Sequence, residues 1–194
     1  MGYYGEKFAK WSSIIATIGT SILAITATIT VTVTLNAWKI DRESSRPYLS
    51  LQDSPKIEAK SGLSLEFKFN NVGTHPVVNL ASRTLVIEQE LENKPLQNDT
   101  YYLANEIPQN MASSLLIKFK SYEVDNSEPD VSPYYIVLHL EYTDPFINQK
   151  YQQTLYYRWD GIAGNEVQPI VHVEVREKES ILNYLKKQKI KIQT

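Results

Sequence analysis

Between Lys10 and Lys39 the chain carries no charged residue, and this stretch limits what the rest can be. Residues 12–37 read SSIIATIGTSILAITATITVTVTLNA. As a helix the segment would be roughly 39 Å long at about 1.5 Å per residue. A hydrocarbon core of about 30 Å needs about 20 such residues. Trp11 and Trp38 bracket the segment, with Lys10 and Lys39 just outside. Indole rings at the two interfaces, and lysines reaching past them to water, are the expected membrane anchors. A transmembrane helix over 12–37, with some tilt, is expected.

Two other readings compete. A secretory signal has an apolar stretch of about 7–15 residues and a small-residue cleavage site. This one is longer and runs into Trp38 and Lys39. A β-strand is suggested by Thr26–Thr34, where threonine alternates with apolar residues. Helical projection decides against it, because Ile14, Ile15, Ile18, Ile22, Ile25, Ile29 and Val33 share one broad face at about 100° per residue.

The opposite side carries Ala16, Thr20, Ala24, Thr28 and Thr32 at successive i, i+4 positions, widened by Gly19, Thr26, Thr30 and Thr34. Small residues let helices approach closely in lipid, and hydroxyls can bond across or within a helix. One expectation is self-association through this face, hence a homo-oligomer. The other is a passive tether whose threonines bond to their own helix. Lys7, Lys10 and the α-amine on one flank match Lys39, Arg42 and Arg46 on the other, so the charge rule assigns no side to the following domain.

Charge divides the remainder. Residues 39–175 carry a net −7 and residues 176–194 a net +4. An acidic domain lacks the positive field that nucleic acid requires, so no nucleic-acid partner is expected. The absence of cysteine excludes disulfides, cysteine-ligated zinc and thiol catalysis. The organisation is then an N-terminal tail (1–11), the helix (12–37), a polar linker (38–46), a β domain (47–176) and a basic amphipathic tail (177–194).

Eight alternating runs separated by turn residues fill the β domain: Pro47–Gln52, Leu63–Asn70, Arg83–Leu91, Tyr101–Ile107, Ser113–Lys120, Tyr134–Thr143, Tyr151–Asp160 and Ile170–Arg176. They predict an antiparallel sandwich, with a closed barrel as the other possibility. Leu63, Leu65, Phe67 and Phe69 point inward, as do Ile136, Leu138, Leu140 and Tyr142, and the sets Leu115, Ile117, Phe119 and Val171, Val173, Val175 repeat the pattern. A hairpin around Asp144–Asn148 would place Tyr142 opposite Tyr151, Leu138 near Leu155, Ile136 near Tyr157 and Tyr134 near Trp159. Its outer face would group Tyr135 and Val137 with Tyr156 and Arg158. That cluster is more apolar than a solvated face requires, so either the C-terminal segment covers it or it meets a partner.

The passage Leu65–Asn79 (LEFKFNNVGTHPVVN), followed by Leu85–Ile87, resembles the strand, Asn-x-Gly turn, corner and strand of bacterial immunoglobulin-like, adhesion-related domains. Ile107–Phe119 is similar to their proline-containing turn and next strand. The likeness covers about half the chain, with Val77 standing where those domains often have alanine. It implies an immunoglobulin-like fold serving as spacer or binding surface, and no chemistry.

Catalytic signatures are missing: there is no glycine-rich phosphate loop, no Gly-x-Ser-x-Gly elbow and no His-Glu-x-x-His motif. No catalytic residue, metal ligand or cofactor is assigned. His75 sits in a turn. His139 and His172, two residues before Glu141 and Glu174, are read as outward-facing, where a metal site would need their strands adjacent. Glu123, Asp125, Glu128 and Asp130 lack the patterned spacing of a calcium loop and read as a solvated loop. The paired tyrosines 101–102, 134–135 and 156–157 suit strands first and a recognition surface second. The tail should form an amphipathic helix with Ile181, Leu182, Leu185 and Ile192 inward. Its lysines 186, 187, 189 and 191 either complement the helix dipole or meet anionic lipid.

The chain thus reads as a membrane-anchored, non-enzymatic binding or sensing module on the cell membrane, with a protein or small molecule as partner. The alternative is a membrane effector, for example in bacterial defence, whose β domain assembles the helices on ligand binding and perturbs the bilayer.

Overall fold

The computed structural model describes residues 2–58, 63–119 and 130–192, with side chains from Trp11 onward. The fold is mainly β. It forms two compact units, Met1–Ser45 and Arg46–Thr194.

The first unit is one helix, α1 (Gly2–Ser45). From Trp11 to Ser45 it is long and apolar enough to cross a membrane. It continues beyond residue 37, so residues 38–45 of the expected linker are helical. Nothing in KIDRESS breaks a helix. The stop comes at Pro47, which disfavours helical geometry in the residue before it.

The second unit holds β1 (Leu49–Leu51), β2 (Lys56–Glu58), β3 (Ser64–Asn71), β4 (Val77–Glu88), β5 (Gln97–Ile107), β6 (Ala112–Lys118), β7 (Tyr134–Asp144), β8 (Gln149–Trp159), β9 (Ile162–Ala163), β10 (Glu166–Val167), β11 (Ile170–His172) and α2 (Val175–Lys187). The strands pair antiparallel. β1 and β2 line one side of β3 and β6 the other, while β11-β8-β7-β4-β5 form a five-stranded sheet. The hairpin register matches expectation, with Tyr142 opposite Tyr151, Leu138 opposite Leu155 and Tyr134 opposite Trp159.

Between the two sheets lies a core of Leu65, Phe67, Phe69, Leu115, Ile117, Ile136, Leu138, Leu140, Tyr157 and Trp159. The arrangement is sandwich-like, and among the described residues neither sheet closes on itself into a barrel. A second cluster lies on the other face of the five-stranded sheet. There Leu85, Ile87, Tyr135, Val137 and Tyr156 meet Ile181, Tyr184 and Leu185 of α2. With cover on both faces, Tyr134–Leu140 is buried without interruption.

Three expected strands differ by four residues or more, β5 beginning at Gln97 and not Tyr101, and the short β2, β9 and β10 lie outside the eight expected runs. β4 begins at Val77, six residues before the predicted Arg83, because a bulge between Leu80 and Ala81 breaks its alternation. The last strand ends at His172, and Val175 opens α2 with three-quarters of its surface exposed. Glu177 Oε2 accepts the Glu174 N–H at 2.7 Å, half of a capping box that starts the helix where a strand was expected to continue.

Candidate functional site

Three places in the molecule bear on function: the apolar helix, the end of the sandwich at which the chain enters it, and the outer face of the five-stranded sheet. In α1 the large apolar side chains are between 45% and 70% exposed. On its small-residue face, Thr20 Oγ1 donates to Ala16 O, Thr28 Oγ1 to Ala24 O and Thr32 Oγ1 to Thr28 O, at 2.8–2.9 Å. Thr26 and Thr30 do the same. These hydroxyls are satisfied inside the helix, the geometry of the tether expectation, and Ala16, Gly19 and Ala24 contribute only smallness. Trp11 and Trp38 are both exposed. Lys10 lies outside the residues whose side chains are described.

At one end of the sandwich, where Arg46 and Pro47 begin the domain, a polar hub organises the loops. We call this the proximal end. The fully buried Asn71 accepts the N–H groups of Tyr48 (3.3 Å) and Gly73 (3.1 Å) at Oδ1. Its Nδ2 donates to the carbonyls of His75 (2.9 Å) and Ile107 (3.1 Å). A Cβ on Gly73 would stand 2.3 Å from Arg46 O, so only glycine fits. This is the physical content of the Asn-x-Gly turn. His75 Nδ1 donates to Asp144 Oδ2 at 2.7 Å, and Asp144 Oδ1 accepts the Phe146 N–H at 2.9 Å. The buried Asp144 therefore closes the β7–β8 hairpin and ties it to the β3–β4 turn. Tyr142, whose hydroxyl donates to Pro47 O, has its phenol pushed up to about 12, chiefly by burial.

The proposed patch of Tyr135, Val137, Tyr156 and Arg158 is assembled as the register required, but it is not an open surface. α2 covers it, leaving Tyr135, Val137 and Tyr156 at most 7% exposed. Glu177 fastens the cover. It accepts from the Arg158 guanidinium and, at 3.3 Å, from the Tyr135 hydroxyl, while Arg158 Nε donates to Asp160 Oδ1 at 2.6 Å. Burial alone would raise the Glu177 carboxyl. The Glu174 N–H, followed by Arg158 and Tyr135, outweighs it and holds the group below the usual glutamate range. Burial, with Glu177 alongside, pushes the Tyr135 phenol up.

α2 ends in a turn that sends the chain back over the same face. The Ile190 N–H reaches Leu185 O and the Lys189 N–H reaches Lys186 O, with Lys189 at φ 57°. This is the Schellman pattern with lysine where glycine is usual. Ile190 and Ile192 pack on the outer cluster, and Arg83 Nη1 donates to Lys191 O at 2.9 Å. Tyr184 is the inward residue the sequence pattern missed. Its hydroxyl donates to Asn93 O at 2.6 Å. A shallow groove of about 490 Å³ beside Leu182, Leu185 and Ile190 is rimmed by Lys186, Lys189 and Lys191.

The other half of that sheet face stays open. It carries Ala81, Tyr102, Glu141, Thr143, Lys150 and Gln152, with Tyr102 89% exposed. Two shallow grooves of about 420 and 270 Å³ meet there and share Asn79 and Tyr102. Asn79, at φ 54°, sits in the β4 bulge that re-aims this corner. Asparagine tolerates that conformation, but nothing local in the sequence announces it.

The histidines go separate ways. His139 is buried, shares a 2.9 Å hydrogen bond with Thr154 Oγ1 and lies 3.3 Å from Glu141. His172 pairs with Tyr157 and lies tilted against its ring, centroids 4.8 Å apart, which puts it on the core-side face and not, as expected, on an outward face. The described residues hold no group of three or more potential metal ligands. Glu123, Asp125 and Glu128 lie outside the described residues. Asp130 accepts the Gly164 N–H at 2.9 Å.

Compared with known proteins, the chain matches no family model, and no curated protein is significantly similar to it.

Proposed function

We propose that this chain is a single-pass membrane protein whose immunoglobulin-like β-sandwich is a binding module without chemistry of its own. The observation that carries this reading is that the helix from Trp11 to Ser45 is long and apolar enough to cross a membrane and leaves its large apolar side chains 45–70% exposed, while the β domain has two apolar clusters of its own. In water such a surface would be a severe aggregation liability, and a bilayer removes it. The bracketing tryptophans add support. The binding surface we favour is the open half of the five-stranded sheet around Tyr102. An exposed aromatic ring beside amides and charges is a common anchor for a protein partner. β5 is also the edge strand of the five-stranded sheet, a position at which an extended segment can be added. The hydrogen-bonding of the α1 threonines favours a tether over a helix that assembles by hydroxyl contacts.

Extraction tests the anchor. The full chain should stay with the membrane pellet through an alkaline carbonate wash and leave it only in detergent; release by carbonate would sink the proposal. A photo-crosslinking side chain at Tyr102 should then capture a partner in cells that the same group at Lys94 does not.

A further inference from the structure

The proximal end of the sandwich is richer in exposed apolar side chains than its polar hub requires. Val72 is 49% exposed, Met111 57% and Phe146 71%, and they occupy the tips of three different loops. Asn71, with its hydrogen bonds, holds these loops together. The Asn71 N–H donates to Met111 O at 3.0 Å and the Val72 N–H to Tyr48 O at 2.9 Å. Phe146 lies edge-on to His75, with ring centroids 4.9 Å apart. The tip Pro145–Phe146–Ile147–Asn148 places its aromatic ring outward although the buried Asp144 rigidly caps the turn. Single exposed apolar residues need no explanation, but three on converging tips of one end do.

We infer that Val72, Met111 and Phe146 seat this end of the domain in the interfacial layer of the bilayer that holds α1, with phospholipid headgroups and upper acyl carbons as their partner. The inference rests on the membrane reading proposed above. Covalent reach makes the assignment. Pro47 follows Ser45 by two residues, and the helical residues 38–45 that follow the apolar segment extend about 12 Å at most. Whatever angle the helix takes, Pro47 lies within about 19 Å of the end of the apolar segment even with the two residues after Ser45 fully extended, so this end of the domain is the one the chain holds within reach of the bilayer. A headgroup layer is itself several ångströms deep. The exposed Lys150, further along the same hairpin, is long enough to reach phosphate from there. A loop-tip contact of this kind would fix the orientation of the domain and present the Tyr102 face sideways along the membrane.

The chain has no cysteine, so single cysteines can be introduced without removing any. Full-length Phe146→Cys, Met111→Cys and Val72→Cys would each carry an environment-sensitive fluorophore and be reconstituted in phosphatidylcholine–phosphatidylglycerol vesicles. Lys94→Cys, in the exposed β4–β5 turn, serves as the distant control and Trp38→Cys as the anchor control. The quencher is a lipid with a nitroxide near the headgroup end of its acyl chain. The expected result is quenching at positions 146 and 111 at least about two-fold greater than at 94, with position 38 also quenched. Three loop positions make the outcome independent of one badly behaved variant. Quenching at 38 without quenching at 146, 111 or 72 overturns the inference and leaves the anchor intact. Equal quenching at 94 overturns it too, since no end would then be preferred. No quenching at 38 removes the membrane reading, and this inference with it.

Discussion

Replacing Ile181 by alanine should release α2 from the sheet without unfolding the sandwich. Ile181 is fully buried and faces Leu85, Ile87, Tyr135, Val137 and Tyr156 across the outer cluster. The change removes three carbons, worth about 2.4 kcal/mol at roughly 0.8 kcal/mol each, before any residual cavity is counted. Only Ile181, Tyr184 and Leu185 of α2 are buried, so docking draws on about three side chains and must offset the ordering of thirteen residues. A loss of about 2.4 kcal/mol is therefore a large part of what holds α2, and small beside the core between the sheets. Hydrogen exchange separates the two. Amides in the last two turns of α2 should exchange about fifty-fold faster, following a factor of ten per 1.4 kcal/mol, while those of β7 change little. Dye binding to the uncovered Tyr135–Val137–Tyr156 face should rise in parallel. Less than a three-fold change in α2, or an equal acceleration in β7, would refute the idea that this face is a separately docked cover.

Three further outcomes are expected. Tyr102→Ala should leave thermal stability within about 0.5 kcal/mol, because the ring is almost wholly exposed, yet abolish crosslinking of the partner from neighbouring positions. Asp144→Ala should cost about 2–4 kcal/mol in chemical denaturation, since it leaves the Phe146 N–H and His75 Nδ1–H without their acceptor. Glu177→Gln should weaken the cover by about 1–2 kcal/mol at neutral pH, the partial exposure of both Arg158 and Glu177 moderating a charge-assisted bond. The Glu177 carboxyl is depressed from 4.5, so its contribution is complete above that value and is lost as pH falls through the lower folded-state value. The difference between the native chain and Glu177→Gln, followed by near-ultraviolet dichroism on heating, should accordingly shrink on acidification.

How much of this was readable beforehand depended on whether a residue's role is set by its neighbours in the chain. The hairpin from Tyr134 to Trp159 was legible in full, because a four-residue loop fixes one register and alternation fixes one face. The helix outlasts the apolar segment, because polar residues mark where an apolar stretch ends but not where a helix does. β4 was found only in its second half, because the Asn79 bulge moves the alternation out of step and no local residue pattern signals it. His172 was put on the wrong face for a related reason: its strand's partner register is a tertiary fact. The likeness to immunoglobulin-like domains pointed at Asn71 and Gly73, and their hub at the proximal end gives that turn a cause in hydrogen bonding and close backbone approach.

The outer face makes the same point about function. Composition identified an apolar cluster on it and offered two occupants, a tail or a partner. In the structure α2 covers one part of the face and leaves the other open. Thirteen residues of α2 and a turn at Lys189 reach only as far as Arg83, which ties off Lys191 while its Nε donates to Asn98 Oδ1 at 3.0 Å. On one side of Arg83 the sheet is apolar and sealed. On the other it is amide-rich, charged and open, with Tyr102 on its edge strand. The change of chemistry at the line where cover ends suits a surface that is wet until something binds, which is the support for proposing the recognition surface on the open half.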